Sequence, residues 1–481
     1  MPMYQGAAAR LCGEAIDPPR RYTHVHRHHH PTDHEPLGRE RNRPPARRPR
    51  VRRGPHALER RRRPAPRRGG EPRTARDVAA AVRSARRAGL RIAAQSTGHN
   101  AGPLAEQDLS DVMIIRTGAL NEVTIDPELG IARVGAGSIW DPVVAAAGEH
   151  GLAALHGSSP DVGVAGYSLG GGLGWYARKL GLQANNLTAV VMVTPDGDLV
   201  RADEHENGDL FWALRGGGGN FGVVTALEFR LHPIESAYAG WLVWDVTRAH
   251  DVLRGYEEWA AGAPDEVSTS FRILNVPPLP EVPEPFRGRS LAVIDGAVLG
   301  SDEYGADVLQ ALRALRPEMD TFGRMPAPAL ARLHMDPEGP TPAVGTSTVL
   351  GRLGEAGIET FVEAAGVGPQ SGLIMAELRQ LGGAVGRPAI GGGALSHIEG
   401  DYVFMSVGIA ATPELAAASH TATHGLLAAL EPWSTGRNYL NFAESRVEAG
   451  TAFDTDQLDL LRAVRAAYDP DEVMVANHRL S

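Results

Sequence analysis

The sequence predicts an α+β protein of two or three packed domains. Its 481 residues exceed the usual length of a single domain, which is about 100–200 residues. Hydrophobic residues make up 43% of the chain and charged residues 22%, as in an ordinary globular protein, whereas the 57 glycines are an excess. Short runs with strand character alternate with few segments of helical periodicity. The chain can therefore bury a substantial core, with much of its glycine in loops.

The first ordered element is predicted near residue 74. Thr74 followed three residues later by Asp77 is typical of a helix N-cap, and the apolar spacing behind it predicts a helix that ends at Gly89. Further helices are predicted at 140–150 and 209–215. Strands are predicted at 90–94, 112–115, 122–125, 131–134, 189–193, 223–231, 241–246, 291–296, 375–381 and 402–407.

The N-terminal segment differs from the rest in charge and composition. Residues 1–70 carry 18 Arg and 6 acidic residues, whereas the remainder carries 30 Lys and Arg and 51 acidic residues. Residues 20–70 have no helical or strand period, so burial cannot compensate the entropy of ordering them. Three origins are open: an out-of-frame translation of GC-rich DNA, which the single lysine Lys179 favours, a disordered tail, or a nucleic-acid-binding arm. A histidine run here is a solvated segment or a metal-binding one (His24, His26, His28, His29, His30 and His34).

Cysteine usage and hydropathy exclude several classes of protein. The single cysteine, Cys12, excludes an internal disulfide framework and a multi-cysteine metal or iron–sulfur site, so no metal is expected. No stretch reaches about 18 uninterrupted apolar residues, and no signal peptide is recognisable. We expect a cytoplasmic protein, a monomer or homodimer, whose partners include neither nucleic acid nor membrane.

Two glycine-rich segments indicate a ligand that approaches the backbone closely. The first is 156–174 and the second is 216–222. Gly217, Gly219 and Gly222 formally match the GxGxxG dinucleotide fingerprint. That fingerprint follows a strand and opens a helix, whereas this segment follows a predicted helix and opens a predicted strand. A nicotinamide-dependent dehydrogenase is therefore disfavoured, and no P-loop, HExxH or CxxC motif is present.

Five segments in order carry a family resemblance. They are Gln95-Ser96-Thr97-Gly98-His99, the loop from Pro160 to Gly172, Arg215 to Thr225, Tyr439-Leu440-Asn441-Phe442, and Tyr468-Asp469-Pro470 with Asn477-His478. Together they resemble the berberine-bridge-enzyme-like branch of FAD-linked oxidases. The resemblance implies an FAD-binding domain of the vanillyl-alcohol-oxidase type, formed by both ends of the chain, around a central substrate domain of antiparallel sheet backed by helices. It divides the chain into an N-terminal segment 1–73, an FAD-binding domain 74–235, a substrate domain 236–435 and a returning segment 436–481.

The resemblance also implies how FAD is held. The histidine that matches His99 bonds covalently to the flavin in this family, and Ser159 stands where many members have a second, cysteine anchor. Serine is not the soft thiolate that such a link needs, so a single covalent link through His99 is expected. The cofactor-binding residues implied are Ser96, Thr97, Gly98, His99, Asn100, Ser159, Gly163, Gly166, Leu169, Gly170, Gly171, Gly172, Val224, Tyr439, Asn441 and Asn477.

The implied reaction is hydride or electron transfer from a small organic substrate to FAD and then to O2. Gly157 matches the position that controls oxygen access in the family and should admit oxygen. Tyr439 of the YxN motif is the expected base, with Arg437 on the same face of a strand, and Glu377 and His397 are second choices. The substrate is expected to be a secondary-metabolite alcohol, an amine or a reduced quinone. Two alternatives remain: a resistance oxidase that reoxidises a reduced quinone antibiotic such as mitomycin, and a flavin- or drug-binding protein without turnover.

Overall fold

The computed structural model describes residues 71–280 and 282–480. Cys12, the histidine run and the tract 20–70 lie outside the described residues. The helices are α1 (Ala75–Arg87), α2 (Gly102–Ala105), α3 (Trp140–Gly148), α4 (Val164–Leu169), α5 (Ala177–Leu180), α6 (Gly208–Leu214), α7 (Ala249–Ala260), α8 (Asp302–Val308), α9 (Gln310–Arg313), α10 (Gly354–Ala365), α11 (Pro413–Ala429) and α12 (Thr455–Tyr468). The strands are β1 (Arg91–Gln95), β2 (Val112–Arg116), β3 (Val123–Asp126), β4 (Ile131–Gly135), β5 (Leu187–Val193), β6 (Leu199–Asp203), β7 (Val223–Arg230), β8 (Ser236–Asp245), β9 (Val267–Asn275), β10 (Ser290–Val298), β11 (Met319–Asp320), β12 (Gly323–Pro326), β13 (Ala343–Leu350), β14 (Met375–Gln380) and β15 (Tyr402–Ile409).

A small parallel sheet joins the beginning and the end of the described chain. Thr74 and Asp77 form the predicted capping box of α1, which satisfies backbone donors that the first helical turn leaves open. Strands β1 and β2 pair in parallel. The C-terminal segment then bonds to β1, because Ile92 N–H donates to the Val473 carbonyl at 2.8 Å and Val475 N–H donates to the Ile92 carbonyl at 2.7 Å. The two ends of the described chain therefore meet at β1.

A five-stranded antiparallel sheet follows, in the order β3-β4-β7-β5-β6. It shares a core with α3, α4, α6 and α12, in which Trp140, Phe221 and Phe229 are fully buried. Both β7 and α4 adjoin glycine-rich segments. This core therefore sets the position of those segments relative to one another.

The middle of the chain forms an eight-stranded antiparallel sheet. Its order is β11-β8-β10-β9-β14-β15-β13, and β12 also pairs with β8. Helices α7, α10 and α11 cover one face, where Phe271, Phe361 and Phe404 are fully buried. The opposite face packs against Trp175 and Tyr176 of the segment before α5. Side chains of alternate residues in β9, β10 and β14 therefore face either the helices or that segment.

The predicted α+β fold class is confirmed, with mixed helix and antiparallel sheet. Predicted strands coincide with observed ones within a few residues, including β8, β10, β14 and β15. One element differs from the prediction. Residues 436–439 form no strand, and a short 3-10 helix, Leu440–Phe442, follows them.

Candidate functional site

The Ser96 to Asn100 loop connects β1 to α2 and presents His99 at its tip. Gly98 has φ +83°, a left-handed conformation that glycine adopts without strain. His99 N–H faces the Thr97 hydroxyl at 3.3 Å, while its side chain is exposed. The imidazole is therefore accessible from outside the loop, as an attachment point requires.

Asn100 ties this loop to the C-terminal part of the chain. Its side-chain amide donates to the Leu440 carbonyl at 3.2 Å. The Asn477 amide in turn donates to the Asn100 backbone carbonyl. Asn100 and Asn477 are thus brought together as implied, and Asn441, next to Leu440, lies close by in the chain.

The first glycine-rich segment, 156–174, passes beside this loop. A Cβ placed on Gly163 would lie 3.0 Å from the Ser96 hydroxyl, so the absence of a side chain lets the two backbones approach. Gly163 is the N-cap of α4, and a Cβ on Gly166 within that helix would meet nothing within 4 Å. Open space therefore borders the backbone at Gly166.

The three glycines after α4 pack against the C-terminal segment. A Cβ on Gly170 would overlap the Asn441 side-chain oxygen, and one on Gly171 would lie 2.9 Å from the Tyr439 ring. A Cβ on Gly172 would lie 2.6 Å from the Tyr167 ring. Side chains at Gly170 and Gly171 would therefore displace the residues that the YxN motif supplies. Leu169 and Val224 belong instead to the hydrophobic core beneath the segment.

Tyr439 is almost completely buried, with 2% of its surface exposed. Its phenolic oxygen accepts hydrogen bonds from Gly172 N–H at 2.8 Å and from the Asn441 amide at 3.1 Å. Burial raises the pKa of Tyr439 to about 12, while these donors and the Arg379 guanidinium act in the opposite direction. The expected help from Arg437 is wrong, because Arg437 pairs with Asp454 and lies on no strand with Tyr439.

Ser159, for which the resemblance implies the place of a second anchor, is hydrogen-bonded within its own loop. It is 9% exposed, and its hydroxyl donates to the Asp161 carboxylate at 2.9 Å. The other Asp161 oxygen accepts from Gly339 N–H at 2.7 Å. The serine thus helps to fix its loop to the segment around Gly339.

Glu377 belongs to a buried ionic row on the face of the large sheet that is turned away from the helices. The row consists of Arg272, Asp295, His334, Glu377 and Arg379. His334 Nδ1 lies 2.8 Å from Asp295 and Nε2 lies 3.5 Å from Glu377. Arg379 Nε donates to Glu377 at 2.8 Å. Every member is at least nine-tenths buried.

Charge pairing dominates the electrostatics of this row. Burial alone would raise the pKa of Glu377, but Arg379 and His334 hold it well below its usual range. Burial and Arg272 act to lower the pKa of His334, yet Asp295, with Asp336 and Glu377, raises it to about 9. Glu377 is therefore a carboxylate whose negative charge is already neutralised by its neighbours.

His397 lies apart from this row and near Tyr439. It is half-buried, its Nδ1 is 3.0 Å from the Ser396 hydroxyl, and its Nε2 is 3.7 Å from Glu399. His397 and Tyr439 line the same small cavity, together with Leu395 and Arg437. Glu377 thus lies in the ionic row, whereas His397 and Tyr439 share one small cavity.

The described residues leave a set of buried polar atoms without partners around the glycine-rich segments. Within the described part of the chain, no hydrogen-bond partner is found for side-chain atoms of Ser96, Asn100, Ser138, Tyr167, Ser168 and His478. Burial lowers the pKa of His478 to about 4, so its imidazole is neutral. Buried polar groups are normally satisfied. These atoms and the backbone space at Gly166 fit a polar, extended cofactor such as FAD.

Sequence reasoning did not single out Tyr167, Arg379 or His334. Tyr167 was only one residue of a glycine-rich stretch, although its hydroxyl is buried without a partner. Glu377 and Arg379 alternate with apolar residues in β14, and two opposite charges at such spacing are a signal for paired charge on one face of a strand. His334 lies in a loop, where no periodicity marks it. Among the described residues, no cluster of three metal-ligating side chains occurs, and no helix is both long and apolar enough to cross a membrane.

Comparison with known proteins agrees with this geometry. A family model described as an FAD binding domain matches residues 70–203. Over 172 residues the chain is 40% identical to (R)-6-hydroxynicotine oxidase of Paenarthrobacter nicotinovorans, covering 36% of this chain and 37% of that protein. It is 32% identical over 256 residues to chitooligosaccharide oxidase of Gibberella zeae, covering 52% of this chain and 48% of that protein. The chain spans less than half the length of these curated relatives.

Solved structures match over most of the chain. A berberine-bridge-enzyme-like protein of Physcomitrella patens superposes with a TM-score of 0.74 at 21% identity, covering 85% of this chain and 90% of that one. 6-Hydroxy-D-nicotine oxidase from Arthrobacter nicotinovorans superposes with a TM-score of 0.73 at 25% identity, covering 85% of this chain and 91% of that one. Residues 70–203 are thus an FAD-binding domain. The resemblance of the chain to the berberine-bridge-enzyme-like branch of FAD-linked oxidases is confirmed.

Proposed function

We propose that this protein is an FAD-dependent oxidase of a small organic substrate, with O2 as the final acceptor. The observation that carries the proposal is the FAD-binding domain at 70–203, whose glycine-rich segment lies against Tyr439 and Asn441. The relatives that the chain matches include named nicotine and oligosaccharide oxidases. The substrate class we favour is a secondary-metabolite alcohol, an amine or a reduced quinone.

His99 and the polar atoms around the glycines would hold the cofactor. We propose a single covalent link through His99, since its side chain is exposed at the loop tip and Ser159 has no thiolate to offer. Backbone N–H groups of the Ser96 to Asn100 loop and of Gly163 to Gly172 would receive the pyrophosphate. When bound, FAD supplies hydride acceptance and electron return to O2.

Tyr439 is the base we favour. A base must accept a proton from the substrate hydroxyl or amine, and the Tyr439 oxygen receives two hydrogen bonds that stabilise its ionised form. Burial opposes ionisation, which raises its pKa to about 12. A substrate that is already ionised would need Tyr439 only for orientation.

Glu377 and His397 are weaker candidates for the base. The Glu377 carboxylate is neutralised by Arg379 and His334, so its affinity for a proton is low. His397 keeps a more open environment beside Tyr439. We therefore rank His397 above Glu377.

Anaerobic reduction of the purified holoprotein tests the proposal. Candidate alcohols, amines and chemically reduced quinones are mixed with it, and bleaching of the flavin absorbance is followed before air is admitted and peroxide is measured. Bleaching followed by peroxide formation supports an oxidase, and a reduced quinone as the only effective donor supports the resistance alternative. Spectral shifts without bleaching by any donor would favour a flavin- or drug-binding protein instead.

A further inference from the structure

Arg379 is where the buried ionic row meets the segments assigned to the cofactor. Its Nη2 faces the Ser158 hydroxyl at 3.3 Å. Its guanidinium carbon lies 5.2 Å from the centre of the Phe442 ring and 5.8 Å from that of Trp175. Ser158 precedes the second anchor position, and Phe442 follows Asn441. One strand residue of the large sheet therefore touches two of the segments expected around the flavin.

The row behind Arg379 is placed by strand register. Arg272 of β9 is the register partner of Glu377 in β14 and of Val293 in β10, and Asp295 follows two residues later on the same face. Neighbouring residues Phe271, Ile294 and Leu378 face the helices, so the charged side chains project to the other face. Four of the five members of the row are thus carried by three paired strands.

Each carboxylate in the row is already engaged with more than one partner. The Asp295 carboxylate accepts a hydrogen bond from Arg272 at 2.6 Å and lies 2.8 Å from His334 Nδ1. Glu377 faces both His334 and Arg379, but it engages Arg379 through Nε alone. The half-buried Asp336 acts on His334 and Arg379 only at longer range. Among the described residues, no carboxylate therefore bonds to Arg379 through both of its oxygens, an arrangement that a guanidinium can accommodate.

A buried guanidinium is stable in its charged form only when nearby negative charge or hydrogen bonds replace the water that it has lost. Despite burial, Glu377 raises the pKa of Arg379 above its usual value, so the guanidinium remains charged. The positive charge of Arg379 also acts to lower the pKa of the Tyr439 and Tyr167 hydroxyls. A cation that influences both phenols lies close to the expected site of oxidation.

We infer that Arg379 is a specificity-determining residue that selects substrates with an anionic oxygen near the oxidised centre. The anion is a carboxylate or the oxygen of an ionised hydroquinone, and the ionic row holds the guanidinium in place to receive it. This inference rests on the proposed function and narrows its substrate class. An uncharged sugar or a cationic amine would gain nothing from this residue.

Two matched probe pairs test the inference by equilibrium dialysis against holoprotein. Benzoate is compared with benzamide, and pentafluorophenolate with pentafluorobenzene. The wild type should bind the anion of at least one pair about tenfold more tightly than its neutral partner, the size expected for a charge-assisted hydrogen bond. Arg379→Gln should reduce that ratio to within about twofold, and Arg379→Lys should retain part of it. Which pair responds distinguishes the carboxylate from the phenolate.

Arg254→Gln is the control, since Arg254 lies on the exposed side of α7 and pairs with Asp251. It should keep the wild-type ratio. Equal affinity within both pairs, absence of binding by all four probes, or an unchanged ratio in Arg379→Gln would overturn the inference. Binding requires no turnover, so anion preference in a protein that no donor reduces would contradict the oxidase proposal and leave the selectivity of Arg379 standing.

Discussion

The phenolic oxygen of Tyr439 accepts a hydrogen bond from the backbone N–H of Gly172 at 2.8 Å. This bond joins a residue near the C-terminus to the glycine-rich segment that follows α4. Because a side chain on Gly171 would lie 2.9 Å from the same tyrosine ring, the glycines make this contact possible. The position of Tyr439 is therefore fixed by the segment expected to bind the cofactor.

Replacing this hydroxyl tests the proposed base. Tyr439→Phe should keep the fold and covalent FAD but slow anaerobic flavin reduction by about 10²–10⁴, the range for a positioned base. Stopped-flow absorbance with an alcohol or amine substrate gives the rate. Tyr468→Phe is the control, because that hydroxyl faces Asn207 and Asp209 away from Tyr439. A Tyr439→Phe rate within a few-fold of wild type would remove Tyr439 from the mechanism.

The covalent link is tested at His99. Wild-type protein precipitated with acid should retain its flavin, whereas His99→Ala should release it, because the single anchor is lost. The exposed His150 provides the control, and His150→Ala should retain flavin. Ser159→Cys is expected to add a second link. Freely dissociable FAD in the wild type would contradict the covalent claim.

The glycine at position 170 tests the packing of the cofactor segment. A Cβ there would overlap the Asn441 side chain, so Gly170→Ala should lower the free energy of unfolding by about 1–3 kcal/mol, as overpacking does. Gly450→Ala is matched to it, since nothing lies within 4 Å of that Cβ. Thermal unfolding of both variants makes the comparison. Equal melting temperatures would show that the Asn441 side chain moves aside without loss of stability.

The buried histidine predicts a pH dependence of stability. His334 has a pKa of about 9 in the folded protein and about 6.5 when unfolded. Its stabilising effect is complete below about pH 6.5 and is lost as the pH rises toward 9, on the order of 3 kcal/mol. The melting temperature should fall across this window, and less so in His334→Gln. His205→Ala, at an exposed site, should leave the slope as in wild type.

The composition of the N-terminal tract predicts that its removal leaves stability and flavin content unchanged. Residues 20–70 show no pattern of apolar burial, so removing residues 1–70 should change the melting temperature little and leave flavin content intact. Calorimetry and flavin absorbance measure the two quantities. Loss of FAD from the shortened chain would show that the tract contributes to the fold.

Local patterns predicted the elements but not their tertiary partners. The capping box at Thr74 and the strand periods are properties of neighbouring residues, so they could be identified from the sequence. The strand expected at Tyr439 is wrong, because side-chain parity alone does not supply a pairing partner. What holds Tyr439 is a backbone N–H more than 260 residues earlier in the chain.

The candidate site was predictable where glycine or motif spacing marks it. The contact between Asn100 and Asn477 agrees with the segments that carried the family resemblance. The row around His334 was not predicted as a unit, because its members come from three strands and a loop that only the folded sheet brings together. Each of those charges, taken alone in the sequence, has no visible partner.

The pairing of Ile92 with Val473 and Val475 also governs the order of events during synthesis. The loop that carries His99 follows β1 directly, yet it also makes contacts with Leu440 and Asn477, which are 340 and 377 residues after Asn100. Early parts of a nascent chain can fold before later ones exist. This loop is an exception, because its supports are synthesised so much later. A nascent chain that ends before Leu440 would therefore carry the His99 loop without these contacts.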